Sequence, residues 1–194
     1  MALPKLITPE EYLRMERASQ EKHEYYRGEV FAMTGASRDH NLIAQNTSRQ
    51  LGNQLDEHPC EVYQSDMRVK IPTTGAYTYP DVVVVCGKPE FEDGELDTLL
   101  NPTVIIEVLS SSTEKYDRGR KALYYRSIAS LKEYVLIAQD SVQVEHYGRQ
   151  ENQWSLTDIS SIDATLTLAS ISCSINIRDI YKKVNFDITQ GKTP

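Results

Sequence analysis

Two stretches of this chain, Val82-Val83-Val84-Val85 and Val104-Ile105-Ile106 with Val108-Leu109, are apolar at consecutive positions instead of alternate ones. Successive side chains of a strand point to opposite faces, so a run that is apolar on both belongs to a sheet covered on both sides. That requirement excludes a one-faced meander and calls for helices above and below a central sheet. Helix signals occur on either side of these runs. Thr8-Pro9-Glu10-Glu11 supplies an N-cap hydroxyl, a proline at the first helical position and a capping-box Glu, which predicts a helix to about Arg17. Leu42, Ile43, Thr47, Leu51 and Leu55 recur at helical spacing and predict one buried stripe on a long helix from Ser37 to about Asp56. Ser111 and Glu114 form a capping-box pair that predicts a third helix, to about Ala129.

Strands are predicted over residues 61–71, 81–86, 103–109, 133–138 and 142–147, with weaker signals at 154–156 and 165–168. Arg27-Gly28 should turn a hairpin between His23 and Met33, and a short helix should close the chain near residues 175–181. Strand, helix and strand across 103–138 imply a right-handed parallel crossover. With no internal repeat and no linker, the expectation is a single α/β domain over residues 1–194, a mixed central sheet flanked by helices on both faces.

Composition narrows the function classes. A formal charge of -7, from 28 acidic and 21 basic residues, excludes a protein that coats nucleic acid by bulk electrostatics, so any such contact needs a local basic face. The start has no apolar leader and no apolar run is long enough to cross a bilayer, which gives the expectation of a cytoplasmic chain with no membrane partner. Cys60, Cys86 and Cys173 lie far apart with no C-x-x-C pair, so reduced thiols, no disulfide and no zinc are expected.

Glu107 interrupts its apolar run on the face shared with Ile105 and Leu109. A buried carboxylate must meet a cation, a donor network or a metal, or else become protonated. A structural ion pair would satisfy it equally well. Asp81 follows Pro80 at the start of the Val-rich run and, taken alone, could simply cap a turn. If these two strands pair antiparallel, however, the start of one lies beside the end of the other and Asp81 meets Glu107. Two convergent hard oxygen ligands suit Mg²⁺ or Mn²⁺. Lys121, four residues before Tyr125 and seven before Ile128, belongs to the sheet-facing stripe of its helix, with Asp117 one turn earlier. An exposed Asp117–Lys121 pair is the plain alternative. A cation beside a metal site is what phosphodiester cleavage needs near the attacking water and the phosphate.

Residues 79–134 resemble the Uma-type restriction-endonuclease-like proteins, a bacterial branch of the PD-(D/E)XK superfamily. The resemblance is carried by Pro80-Asp81, Glu107-Val108-Leu109-Ser110 with Ser112-Thr113, Asp117, Lys121 and Glu133-Tyr134-Val135. Tyr25, Gly28-Glu29, Met33, Gly35 and His40 match more weakly. It implies a restriction-endonuclease-like fold in which Asp81, Glu107 and the Val108 carbonyl bind a divalent metal while a lysine serves the water. The superfamily places that lysine two residues beyond Glu107, where this chain has Leu109, so the role passes to Lys121. Glu29 could complete the metal shell, or be a hairpin-surface acid. His40 could contact substrate, or cap a helix. The expected function is Mg²⁺-dependent hydrolysis of DNA, as a homodimer for duplex cutting. The alternative is an inactive nuclease-fold module that binds nucleic acid or a protein partner.

Overall fold

The structure is a computed structural model and describes residues 6–111, 113–151 and 153–186. Ser112 of the motif and residues 1–5 of the chain start lie outside the described residues. In chain order the elements are α1 (Pro9–Ala18), β1 (His23–Tyr26), β2 (Glu29–Ala32), α2 (Arg38–Leu55), β3 (Cys60–Gln64), β4 (Arg68–Ile71), β5 (Ala76–Thr78), β6 (Val82–Cys86), β7 (Thr98–Leu99) and β8 (Val104–Leu109). They continue as α3 (Glu114–Tyr116), a π-helical turn (Asp117–Lys121), α4 (Ala122–Arg126), β9 (Glu133–Ala138), β10 (Val144–Gln150), β11 (Gln153–Ile159), β12 (Thr165–Leu168), a 3₁₀ turn (Ala169–Ile171), β13 (Cys173–Asn176) and α5 (Ile177–Ile180).

The central sheet runs β11-β10-β9-β8-β6-β3 and is mixed. β8 and β9 are parallel, as the crossover requires, whereas β6 and β8 are antiparallel with Val82 opposite Ile106. Strand parity sorts its two faces. Val82, Val84, Val104, Ile106, Val108, Val135 and Ile137 pack under α2, α5 and the β12–β13 ribbon. Val83, Val85, Ile105, Leu109 and Leu136 pack against Ala122, Tyr125 and Ile128 of the α4 region. Glu107 has the parity of Ile105 and Leu109, so it points toward α4.

Several expectations change. The single strand at 61–71 is two strands in two sheets: β3 pairs with β6 in the central sheet, and β4 pairs with β5 in a second sheet of order β2-β1-β5-β4-β7. Ser65-Asp66-Met67 makes the bend between them, with the Met67 N–H returning to the Gln64 carbonyl. The Ser111–Glu114 capping box does not form. The Ser110 hydroxyl accepts from the Thr113 N–H instead, and the helix passes through a π turn and ends at Arg126. The tenth strand starts at Val144 and not at Val142, because Gln139 to Gln143 turn the chain. The closing segment begins as a strand before its short helix. Cys60 and Cys86 form a disulfide, contrary to the expectation of free thiols, because antiparallel pairing of β3 and β6 sets them directly opposite. Among the described residues, no helix is long and apolar enough to cross a membrane.

Candidate active site: a carboxylate cluster at the sheet edge

The chain leaves the second sheet at the end of β5 and enters the central one at β6, through Tyr79-Pro80-Asp81. Asp81 therefore sits at the bend between sheets. The pairing of β6 with β8 stops at Val82 opposite Ile106, so the next residue of β8 is Glu107 beside Asp81, and the Val108 peptide has no partner strand on that edge. Asp81 takes its place: Oδ2 accepts the Val108 N–H at 2.7 Å. Nε2 of His40, in the first turn of α2, lies 3.2 Å from the same oxygen, and the imidazole also faces the Val108 carbonyl. Burial alone would lower the His40 pKa. Asp81 and the Val108 carbonyl outweigh it, so the imidazole is shifted upward, toward the charged form.

On the α4 face, Lys121 Nζ lies 2.8 Å from Glu107 Oε1, 3.2 Å from Glu24 Oε1 and 3.5 Å from Asp117 Oδ1. Lys121, Glu107 and Asp117 are all buried, so the solvated i, i+4 pair is not what forms. Tyr125, one turn beyond Lys121, donates its hydroxyl to Glu107 Oε1 at 2.8 Å and lies 2.9 Å from Thr78 Oγ1. The π turn adds a residue to the helix between Asp117 and Lys121, a device common where a helix carries functional side chains.

Burial pushes the Glu107 carboxyl up to about 8, with Lys121 opposing the rise and the charges of Asp81 and Asp117 adding to it. Asp117 is raised by burial as well, again against the pull of Lys121. Burial by itself would lower Lys121, but Glu107, Tyr125, Glu24 and Asp117 reverse that and hold it well above an ordinary lysine. The ammonium is thus kept charged, among carboxylates that are reluctant to ionise together. Asp117 Oδ1 is sealed from solvent and accepts no hydrogen bond. Asp81, His40 and Glu24 form the more open rim, with side chains 14–16% exposed.

The structure brings together Asp81, Glu107, Val108, Lys121, His40 and Asp117. It does not bring Glu29, which is exposed on β2 and makes no ion pair among the described residues. The acid that reaches the cluster from this hairpin is Glu24. Alternation in His23-Glu24-Tyr25-Tyr26 sets Glu24 opposite the apolar Tyr25 face, a signal present in the sequence, but nothing in it says that the polar face is also covered. Tyr125 was legible as an aromatic one turn after Lys121, although its use as a donor to Glu107 was not.

The sequence model of the Uma2 family, described as "Putative restriction endonuclease", matches residues 9–178. Two uncharacterized proteins of Synechocystis sp. are each 38% identical to this chain. For sll1609 the match covers 86% of this chain and 94% of the relative, and for slr1290 it covers 94% and 95%. A crystal structure described as a putative nuclease belonging to DUF820, from Anabaena variabilis, superposes with a TM-score of 0.74 over 90% of this chain and 97% of its own at 17% identity. At that identity the likeness is one of fold, and the restriction-endonuclease-like architecture is the one observed. The family match spans both the bend that carries Asp81 and the helix that carries Lys121, and the chain belongs to the Uma2 family.

Proposed function

We propose that this protein is a divalent-metal-dependent endonuclease that hydrolyses phosphodiester bonds in DNA. The observation that carries the reading is the charge imbalance of the cluster. Four carboxyl groups, Asp81, Glu107, Asp117 and Glu24, share one ammonium and one imidazole, and the sealed Asp117 Oδ1 has the same Lys121 ammonium facing it at 3.5 Å. Burial and one another's charge hold Glu107 and Asp117 back from ionising, and a further cation would let them do so. Among the described residues no three His, Cys, Asp or Glu side chains are placed to hold a metal ion together, and a donor set of two carboxylates and a carbonyl would suit an ion that keeps several waters and shares a phosphate. Asp81, Glu107 and the Val108 carbonyl would hold Mg²⁺ or Mn²⁺, which when bound polarises a phosphoryl oxygen and lowers the pKa of a coordinated water.

The protein's own groups do the rest. Lys121 stays protonated and offsets negative charge at the attacking water and the phosphate, acting electrostatically and not as a base. Asp117 and Glu24 fix its position. His40, held by Asp81, would offer its imidazole at the open rim to a phosphate oxygen. Cutting both strands of a duplex would call for a homodimer whose two-fold axis matches the two antiparallel strands. Its place of action would be the cytoplasm.

The test is incubation of the full chain with plasmid and single-stranded DNA in Mg²⁺, Mn²⁺ or EDTA, beside Asp81→Ala, Glu107→Ala and Lys121→Ala. Metal-dependent cutting lost in all three variants is expected. Cutting that persists in them removes this site from the reaction. Binding of DNA without cutting, equal in EDTA, would replace the enzyme with a binding module on the same scaffold.

A further inference from the structure

The strand β1 that supplies Glu24 also carries a ledge that the chemistry above does not use. Glu24 stands opposite Phe31 and Tyr26 opposite Glu29 in the β1–β2 register, so these four side chains share one face of the hairpin. Contact of Glu24 with Lys121 identifies it as the face turned toward the site helix. Phe31 is nonetheless 50% exposed there. Tyr116, at the end of α3, is 36% exposed and close enough to Glu24 and Lys121 for its hydroxyl to feel both charges. Two uncovered aromatic rings thus neighbour Glu24 at the rim of the cluster.

The ledge extends along the hairpin end. Tyr26 stacks on Tyr124 with ring centroids 5.2 Å apart and planes at 25°. The Arg27 guanidinium lies 5.1 Å from the Tyr26 ring centre, and Arg120 and Arg27 both act on the Tyr124 hydroxyl. Leu123, on the same helix, is 61% exposed. Among the described residues Arg27, Lys115 and Arg120 form no ion pair, whereas Arg17, Arg68 and Arg118 each meet a carboxylate. Exposed aromatic rings interleaved with unpaired cations beside a phosphodiester-cutting site have one chemistry in common with their neighbour, which is a polyanion carrying flat apolar groups.

We propose that this ledge stacks the unpaired bases of a single-stranded nucleic-acid segment on Phe31 and Tyr116, while Arg27 and Arg120 hold its phosphates and feed the backbone past Glu24 to Lys121 and Glu107. The inference rests on the nuclease reading and narrows its substrate to strands with unpaired bases. Bases in an intact duplex are already stacked on one another and cannot offer their faces to a protein ring, whereas every unpaired base can. Charge alone does not capture a duplex here, since the chain is acidic overall and Glu29 stands on the same face, so stacking is what distinguishes one substrate from another.

The experiment reads binding separately from cutting. Fluorescence anisotropy in EDTA, with the full chain and labelled oligonucleotides of one sequence as single-stranded DNA, single-stranded RNA and blunt duplex DNA, should show at least one single strand bound about tenfold or more tighter than the duplex. The DNA and RNA arms tell the two sources of unpaired bases apart. Phe31→Ala with Tyr116→Ala should remove that preference in a variant whose circular dichroism shows it still folded, and Phe31→Leu with Tyr116→Leu, which keeps apolar cover but no aromatic face, should remove it as well. Arg27→Gln should reduce the salt dependence of binding by about one unit of slope. Equal affinity for single strand and duplex, no binding to any of them, or a double variant that binds as the wild type would overturn the ledge. If the ledge binds single strands but nothing is cut in Mg²⁺ or Mn²⁺, the ledge stands and the nuclease reading falls. Cutting that is the same with and without the ledge substitutions does the reverse.

Discussion

Lys121 is the residue on which the cluster balances, since it is the only ammonium in contact with Glu107, Glu24 and Asp117 among the described residues. Removing one partner of a buried ion network leaves the others uncompensated, at about 3–5 kcal/mol. Lys121→Met should therefore lower unfolding free energy by about 3 kcal/mol in EDTA and reduce cleavage by about 100-fold or more. If added Mg²⁺ returns part of the lost stability in urea melts, charge was the cause. No recovery would point to packing instead. Tyr125→Phe is the milder probe: it deletes one hydrogen bond to Glu107 and one contact to Thr78, for about 1–2 kcal/mol. Far-apart residues of this site were readable because strand parity fixed the direction of Glu107 and helical spacing that of Lys121. Glu24 was not readable, because its partner Lys121 lies on a helical turn packed against the other sheet and a four-residue strand does not reveal which of its faces is covered.

At the scale of elements, the site depends on one long ribbon that bends. β3 with β6 and β4 with β5 are the two halves of an antiparallel pair that passes from the central sheet into the second one. The bend leaves Asp81 at the end of β8, which is why the shared sheet edge becomes a site. Consecutive apolar residues made β6, β8 and β9 legible, whereas the same pattern could not show that residues 61–71 change sheets, since Tyr63, Met67, Val69 and Ile71 share one strand parity and read as a single strand. The π turn was also hidden. Adding a residue to a helix leaves its local composition unchanged, and only the observed contacts of Asp117 and Lys121 reveal it. The hairpin that brings in Glu24 is anchored at Gly28, whose φ of +89° suits glycine and whose carbonyl accepts the Ile7 N–H at 3.0 Å. A Cβ there would come within 2.8 Å of Leu6 Cβ. Gly28→Ala should cost about 1–3 kcal/mol and loosen β1 against Lys121. Denaturation gives the first effect, and a fall in activity larger than the fraction unfolded would report the second.

The whole molecule has to keep its two sheets in register for Glu24 and Glu107 to share a lysine, and a chain of polar contacts spans the second sheet for this purpose. Tyr79 donates to Glu16 of α1 at 2.9 Å and accepts from the buried Arg68 at 2.8 Å; Arg68 lies 2.8 Å from Asp97, and Arg17 of α1 meets both Asp97 and Asp93 at 2.8 Å. The Arg17 guanidinium holds the Asp97 carboxyl well below the usual carboxylate range, opposed by burial and aided by Thr98 and Arg68. A carboxyl depressed in the folded state contributes stability that is fully present above its unfolded value, about 3.9, and is lost as pH falls toward the folded value. Asp97→Asn should therefore lower unfolding free energy by about 2 kcal/mol at neutral pH. That is less than a sealed pair would lose, because the carboxylate is one-third exposed and partly screened. Below about pH 4 the gap between the two proteins should begin to narrow, as the unfolded chain takes up its proton first, and it should close only as pH approaches the depressed folded value. Glu107, whose folded value is raised, has the opposite dependence: its contribution is present at low pH and lost as pH rises, but it is common to both proteins and cancels in their difference. Urea melts of both across this range decide the matter. A gap that stays constant with pH would assign the role of Asp97 to its hydrogen bond with Thr98, and the electrostatic tie between α1 and the second sheet would have to be given up.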